Sequence, residues 1–216
     1  MQYPKGIETK KNILTIAKQL LYENGYKKTT IQMIASKAHV PIGLVNYYFK
    51  KNEFIDTIYL DFYKNVSGFV SEHAGEQMQN SLQEHIVIHQ LMMTHFHSDP
   101  KLLSFLLEIS HAGLLPQSVA ERMHKRQLDF IKSMHLDTTA QYNQWCLLAE
   151  QGACIELLEQ NTQIKAEDPE FQDLLAITAT IAVRLAGVTP RTINKNLTIA
   201  HQVIAELPTL DYHILL

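Results

Sequence analysis

The chain has 216 residues, 46% of them apolar and 19% charged, with a formal net charge of −3. So apolar a chain can bury a substantial core, which excludes a disordered protein, and its length fits one large domain or a small domain joined to a medium one. No run of about eighteen uncharged apolar residues occurs, and the start, Met1-Gln-Tyr-Pro-Lys-Gly6, lacks the apolar stretch of a secretory leader, so a cytoplasmic protein without a membrane partner is expected.

The charge is unevenly spread. Residues 1–65 hold ten lysines against five acids, a surplus of +5 that leaves −8 for the rest. A basic head on an acidic body suits a nucleic-acid binder, because attraction to phosphate then orients one end of the molecule.

Helical periodicity dominates from the start. Ile13, Leu14, Ala17, Leu20 and Leu21 recur at three- and four-residue steps, predicting a first helix from about Thr9 to Asn24, with Asn24-Gly25 as its left-handed stop. Thr29 followed by Gln32 reads as a capping box opening a second helix, whose inward face is Ile31, Ile34, Ala35 and Ala38. After His39-Val40, Pro41 suits a first helical turn and opens a short third helix, Ile42 to Phe49. Two short helices joined by a tight turn, the first leaning on small residues, form a helix-turn-helix.

A fourth helix is predicted from Asn52-Glu53, with Phe54, Ile55, Ile58, Phe62, Val66 and Phe69 carrying it to His73 and Gly75 ending it. Ser81 to Glu84 reads as a second capping box, opening a helix to about His97. Asp99-Pro100 restarts one ending near Gly113, and Pro116 another to about Leu136; Thr138 or Thr139 opens the helix that contains Trp145. Asp168-Pro169 and Thr189-Pro190 repeat the cap-then-proline signature, predicting helices over about 170–187 and 190–206. No strand or internal repeat is evident. Cys146 and Cys154 stand eight residues apart in a helical segment, too far along the axis to bridge, and are expected to be buried thiols.

From Thr30 to Ile55 the chain resembles the DNA-binding signature of the TetR family of bacterial regulators: Thr30, Ile34-Ala35, Ala38, Val40, Gly43, Val45, Tyr48-Phe49 and Lys50 stand at the family's spacing. The resemblance covers about Thr9 to Leu60. It departs from the family at Pro41, where Ser or Thr is usual, at Asn46, where Tyr is common, and at Asn52, where Lys is usual. The resemblance implies an all-α protein: a three-helix helix-turn-helix domain over residues 1–52, then a larger helical effector-binding and dimerisation domain over 53–216. It implies a transcriptional regulator, most often a repressor, acting as a homodimer on a pseudo-palindromic operator in double-stranded DNA.

In that geometry the third helix enters the major groove, and the second crosses the backbone with its N-terminus toward a phosphate. Thr29 and Thr30 are then candidate phosphate ligands, and Lys28, Lys37, Lys50 and Lys51 candidate backbone neutralisers. Pro41, Ile42, Gly43, Leu44, Asn46 and Tyr47 are the candidate readers: Ile42 and Leu44 for a thymine methyl, Asn46 for an adenine edge, Gly43 for close backbone approach. The absence of Arg from this helix predicts an A·T-leaning operator. Phe49 is expected in the core, with Tyr48 beside it and its hydroxyl toward a phosphate.

In the body, small residues at helical spacing mark candidate dimer helices: Ala149, Gly152, Ala153 and Glu156 in one, Leu175, Ala176, Ala179, Ala182, Val183 and Ala186 in another. Large soft side chains, Phe62, Phe69, Met92, Met93, Phe96, Phe105, Ile109, Met123, Met134 and Trp145, are candidates to line a pocket for a small, mostly apolar effector. His85 and His89 share a helical face and His95 and His97 follow, but no thiolate or carboxylate completes a ligand set, so no metal or cofactor is expected. No Gly-rich phosphate loop, nucleophile elbow or His-Glu-x-x-His pair occurs, which speaks against an enzyme.

Overall fold

The protein, a computed structural model, is described from residue 4 to residue 216, so the first three residues of the start cited above lie outside the description. Every regular element among the described residues is a helix: α1 (Pro4–Lys28), α2 (Ile31–Lys37), α3 (Ile42–Tyr48), α4 (Lys51–Ala74), α5 (Ser81–His97), α6 (Pro100–His111), α7 (Gln117–Ser133), α8 (Ala140–Gln160), α9 (Pro169–Thr178), α10 (Ile181–Leu185) and α11 (Pro190–Glu206). Among the described residues no helix is long and apolar enough to cross a membrane. Three predicted caps form: Asp99, Thr139 and Thr189 accept the amides of Lys101, Tyr142 and Thr192, satisfying donors that the first helical turn leaves free.

One local expectation is kept and three are corrected. The first helix does break at the expected Asn24-Gly25 stop, at Gly25 with a φ of 76°, and a further helical stretch runs from there to Lys28. Of the adjacent threonines, Thr30 caps α2, its hydroxyl accepting from the Met33 amide at 3.2 Å. Thr29 points inward instead, donating to the carbonyls of Leu20 and Gly25 at 3.0 and 2.7 Å. At α5 the cap is Asn80 rather than Ser81, and the Gln83 carbonyl oxygen accepts from the Gln79 amide at 2.7 Å. The predicted helix over 170–187 is two, broken at Ala179-Thr180, because the Glu150 carboxylate accepts the Ala182 amide at 3.1 Å and so caps a fresh start.

The chain groups into two compact units, neither continuous in sequence: Met1–Phe62 with Asp99–Pro116 and Tyr212–Leu216, and Tyr63–Ser98 with Gln117–Asp211. In the first, α1 lies against α2 and α6, and α2 against α3. Its interior is apolar, with Ile13, Ala17, Ile34, Val45, Phe54, Ile58, Phe62, Phe105 and Ile214 all at or near zero exposure. Burying an aliphatic or aromatic side chain of this size is worth about 1.5–3 kcal/mol, so the packed interior fixes the short α2 and α3, which would not persist alone.

In the second unit α5 packs on α7, α9 and α11, and α8 on α9 and α10. Eleven of the seventeen residues of α5 are buried, including Gln83, His85, His89 and Gln90, as befits a helix enclosed on most sides.

Candidate nucleic-acid interface

The outward surface of α3 follows from one inward anchor. Val45 is fully buried, and Phe49 just beyond the helix stacks on Phe54 with ring centroids 4.4 Å apart. That phase turns the other face to solvent: Pro41, Gly43 and Asn46 are exposed, Ile42 is 46% exposed and Tyr47 78%. Leu44 and Tyr48 are half-buried, and the Tyr47 and Tyr48 rings meet edge-on. A Cβ added at Gly43 would meet nothing in this chain, so the missing side chain serves no internal packing and leaves the backbone open to an outside surface. Pro41 begins α3 with no side-chain cap.

The candidate phosphate ligands separate. Thr30 is exposed at the start of α2, whereas Thr29 is 1% exposed with its hydroxyl spent on two carbonyls, so Thr29 is withdrawn from the contact set. Lys28 and Lys50 are exposed. Lys37 pairs with Glu23 at 3.2 Å, and that ammonium, with help from Gln19, holds the Glu23 carboxyl below its usual range. Lys51 lies 4.2 Å over the Tyr26 ring, half-buried, and burial lowers its pKa. Lys28 and Lys50 are therefore the freer of the four to meet a phosphate.

Sequence reasoning missed what fixes the end of α1. The Glu108 carboxylate of α6 accepts the amides of Tyr26 and Lys27 at 2.6 and 3.2 Å. The positive φ of Gly25 favours glycine, and a Cβ there would stand 2.8 Å from that carboxylate and push it off the two amides. Nothing local in the sequence signals a partner more than eighty residues away.

Comparison with known proteins gives this geometry its context. The sequence profile described as "Bacterial regulatory proteins, tetR family" matches residues 13–53, the span of the helix-turn-helix. The HTH-type transcriptional regulator YhgD of Bacillus subtilis (strain 168) is 30% identical over 133 residues, 59% of this chain and 68% of that protein. The chain belongs to the TetR family of bacterial regulators. Among solved structures, the fold of RolR in complex with resorcinol matches with a TM-score of 0.66 at 16% identity, over 96% of this chain and 98% of that one. A gamma-butyrolactone receptor described as ArpA-like matches with a TM-score of 0.51 at 18% identity, over 93% and 99%. The family places the chain among transcriptional regulators rather than enzymes.

In the body of this TetR-family chain, the candidate pocket residues divide. Phe62, Phe105 and Ile109 are buried in the first unit; Met92, Met93 and Phe96 are buried in the second, where Phe69 and Met123 are half-buried. Trp145 is corrected: it is 59% exposed, since the buried phase of α8 is Cys146, Leu147, Glu150, Cys154 and Leu158. Met134 is likewise exposed. The dimer candidates are corrected too. Leu175, Ala179, Ala182 and Val183 are fully buried within this one chain and have no surface for a partner. Ala149, Gly152 and Glu156 are exposed, and Ala153, Ala176 and Ala186 half-buried.

The second unit also encloses a polar chain that the sequence did not reveal. Gln127 Nε2 donates to Glu150 Oε2 at 2.6 Å and to His85 Nε2 at 3.0 Å, which leaves His85 Nδ1 to donate to the Met123 carbonyl at 3.2 Å. His89 Nε2 meets the Thr178 hydroxyl at 2.9 Å, and that hydroxyl donates to the Leu175 carbonyl. Burial pushes Glu150 up to about 7, against the Gln127 and Ala182 hydrogen bonds, which favour the charged form. Burial, and then the neighbouring His89, holds His85 well below its ordinary value, and burial takes His89 to about 4. The thiol of Cys154, 3.7 Å from the Met93 sulfur, is pushed up to about 12 by burial, so neither it nor the buried Cys146, itself raised, is a reactive thiolate at neutral pH. Among the described residues no group of three or more His, Cys, Asp or Glu is placed to hold a metal.

Proposed function

We propose that this TetR-family regulator is a cytoplasmic homodimeric repressor whose head, residues 1–52, holds a pseudo-palindromic operator, and whose body, residues 53–216, binds a small effector that lowers operator affinity. The observation that carries the reading is the exposed face of α3, with Ile42, Gly43, Asn46 and Tyr47 outward over a buried Val45. On that face Asn46 pairs with an adenine edge and Ile42 with a thymine methyl, while Pro41, Leu44 and Tyr48 border the contact. Thr30, Lys28 and Lys50 hold phosphates, with Lys37 and Lys51 in support. A neighbour in fold was crystallised with resorcinol and another is a butyrolactone receptor, which supports a small ligand in the body here.

One short helix reads too few bases for specificity, so two copies act together. The surface that supports this is the stripe Trp145, Leu148, Ala149, Gly152 and Glu156 along α8, with Ile177 and Leu185, both close to half exposed. The Tyr142 hydroxyl, donating to the Leu185 carbonyl at 2.7 Å, ties the start of α8 to the end of α10. Sedimentation of the purified chain should give a dimer, and Trp145→Glu a monomer with unchanged helicity.

The deciding experiment is selection of duplexes from a random pool. The expected product is an inverted repeat of A·T-leaning half-sites about 34–36 Å apart or a multiple of it. Asn46→Ala or Tyr47→Ala should weaken binding to it by about 1–3 kcal/mol. Enrichment of half-sites with guanine at the central contacts would overturn the readout, and failure to retain any duplex at low salt would overturn the function.

A further inference from the structure

Beyond residue 65 the chain carries nine Lys and Arg against seventeen acids, yet three of the nine, Arg122, Lys125 and Arg126, lie within two turns of α7 and line one cleft of about 430 Å³. Lys64 of α4 faces the same space, and its only lining acids are Glu84 and Asp129, so the cleft is positive inside an acidic body. Both acids are already engaged. Glu84 accepts from Arg126 Nη2 at 2.6 Å, and Asp129 pairs with Lys125 at 2.6 Å. Lys64 and Arg122 meet no carboxylate among the described residues.

Arg126 is built in rather than draped on the surface. Its Nη2 also donates to the Ser67 hydroxyl at 3.2 Å, its Nη1 to the Tyr63 hydroxyl and the Arg122 carbonyl, and its buried Nε has no acceptor. The Ser67 hydroxyl, accepting from Arg126, keeps its own proton for another oxygen. A solvated pair of surface cations needs no such support; two unneutralised cations from different helices around a concave site focus potential on its interior. The volume falls within the roughly 300–1,000 Å³ of small-molecule sites, and a guanidinium matches a planar carboxylate with two parallel hydrogen bonds.

We propose that this cleft binds a small organic carboxylate, its anionic group held by Arg122 and Lys64 with the Ser67 hydroxyl as a further donor and the Arg126 guanidinium as a fixed neighbouring charge. The site lies wholly in the second unit, and its occupancy is read without DNA, so its failure would leave the operator reading standing.

Titration calorimetry on the full chain in low-salt chloride buffer tests it, with benzoate, octanoate, the uncharged benzamide and inorganic phosphate as probes. At least one carboxylate should bind saturably, one per chain, and weaken about tenfold or more in Arg122→Gln/Lys64→Gln, with the melting temperature unchanged and benzamide silent. The proposal is overturned if neither carboxylate saturates at millimolar concentration, if the double variant binds as well as the parent, or if benzamide matches benzoate. Phosphate binding more tightly than both carboxylates would overturn the assigned ligand class.

Discussion

The two units differ in what their interiors are made of. Among the described residues Thr29 is the only buried polar residue of the first unit, whereas Gln83, His85, His89, Gln90, His124, Gln127, Glu150, Thr178, Thr180 and Asn196 are all buried in the second. The polar links of the first unit lie outside that interior: Glu108 under the Tyr26 and Lys27 amides, Asp99 accepting from Tyr22, Asp61 accepting from Tyr212 and pairing with Lys18. Apolar packing tolerates small rotations and fixes shape by volume, and in the first unit it holds α3 through its buried Val45. A buried hydrogen-bonded network is directional and costly when half satisfied, so the second unit depends on each polar partner being present.

The largest test of that contrast is a deletion in the dry interior. Phe54→Ala should cost about 3–5 kcal/mol in urea unfolding, because the 1%-exposed ring leaves a cavity beside Phe49. In the body, by contrast, volume should matter less than pairing. Gln127→Met keeps bulk but strips donors from Glu150 and His85, with an expected loss of about 2–3 kcal/mol, against under ~1.5 for the volume-conserving Ile58→Leu in the first unit. Equal costs for the two would erase the distinction.

Smaller effects sharpen it. Thr30→Ala removes the α2 cap and should cost about 1 kcal/mol, while leaving the Thr29 bonds to Leu20 and Gly25 intact.

The largest proton linkage near neutral pH should come from the second unit, although Glu23, Asp99 and His213 of the first are also lowered. Glu150, raised to about 7 when folded, keeps a proton that the unfolded chain loses near its ordinary value, so its contribution to stability falls as pH rises through that window and levels off above it. His85, His89 and His124 are lowered, so the unfolded chain takes up protons that the folded one refuses, and stability rises with pH up to about their ordinary value. Above pH ~6.5 only the Glu150 effect remains, a decline of about 1 kcal/mol toward pH 8. Glu150→Gln should abolish that decline in a thermal-melt series; a decline that survives the substitution assigns it elsewhere.

The smallest expected change is in the head's salt response: Lys50→Ala should lower the slope of log affinity against log salt by about one and weaken all duplexes alike.

The order of the helices, most of their boundaries and the outward phase of α3 were legible in the sequence, because they rest on local rules: apolar spacing, proline at a first turn, a side chain reaching an amide two or three residues on. Where two local choices competed, as at Thr29-Thr30 and Asn80-Ser81, the pattern chose the wrong one, since burial on neighbouring helices decides which hydroxyl or amide is free to cap. Only the tertiary structure decided that Leu175, Ala179, Ala182 and Val183 are interior while Trp145 and Leu148 are not, and that Glu150, distant in sequence from His85 and Gln127, closes on both and splits the helix at Thr180. Periodicity shows that a helix has a buried face; what that face meets depends on contacts between residues far apart in the chain, and these carry no local signature.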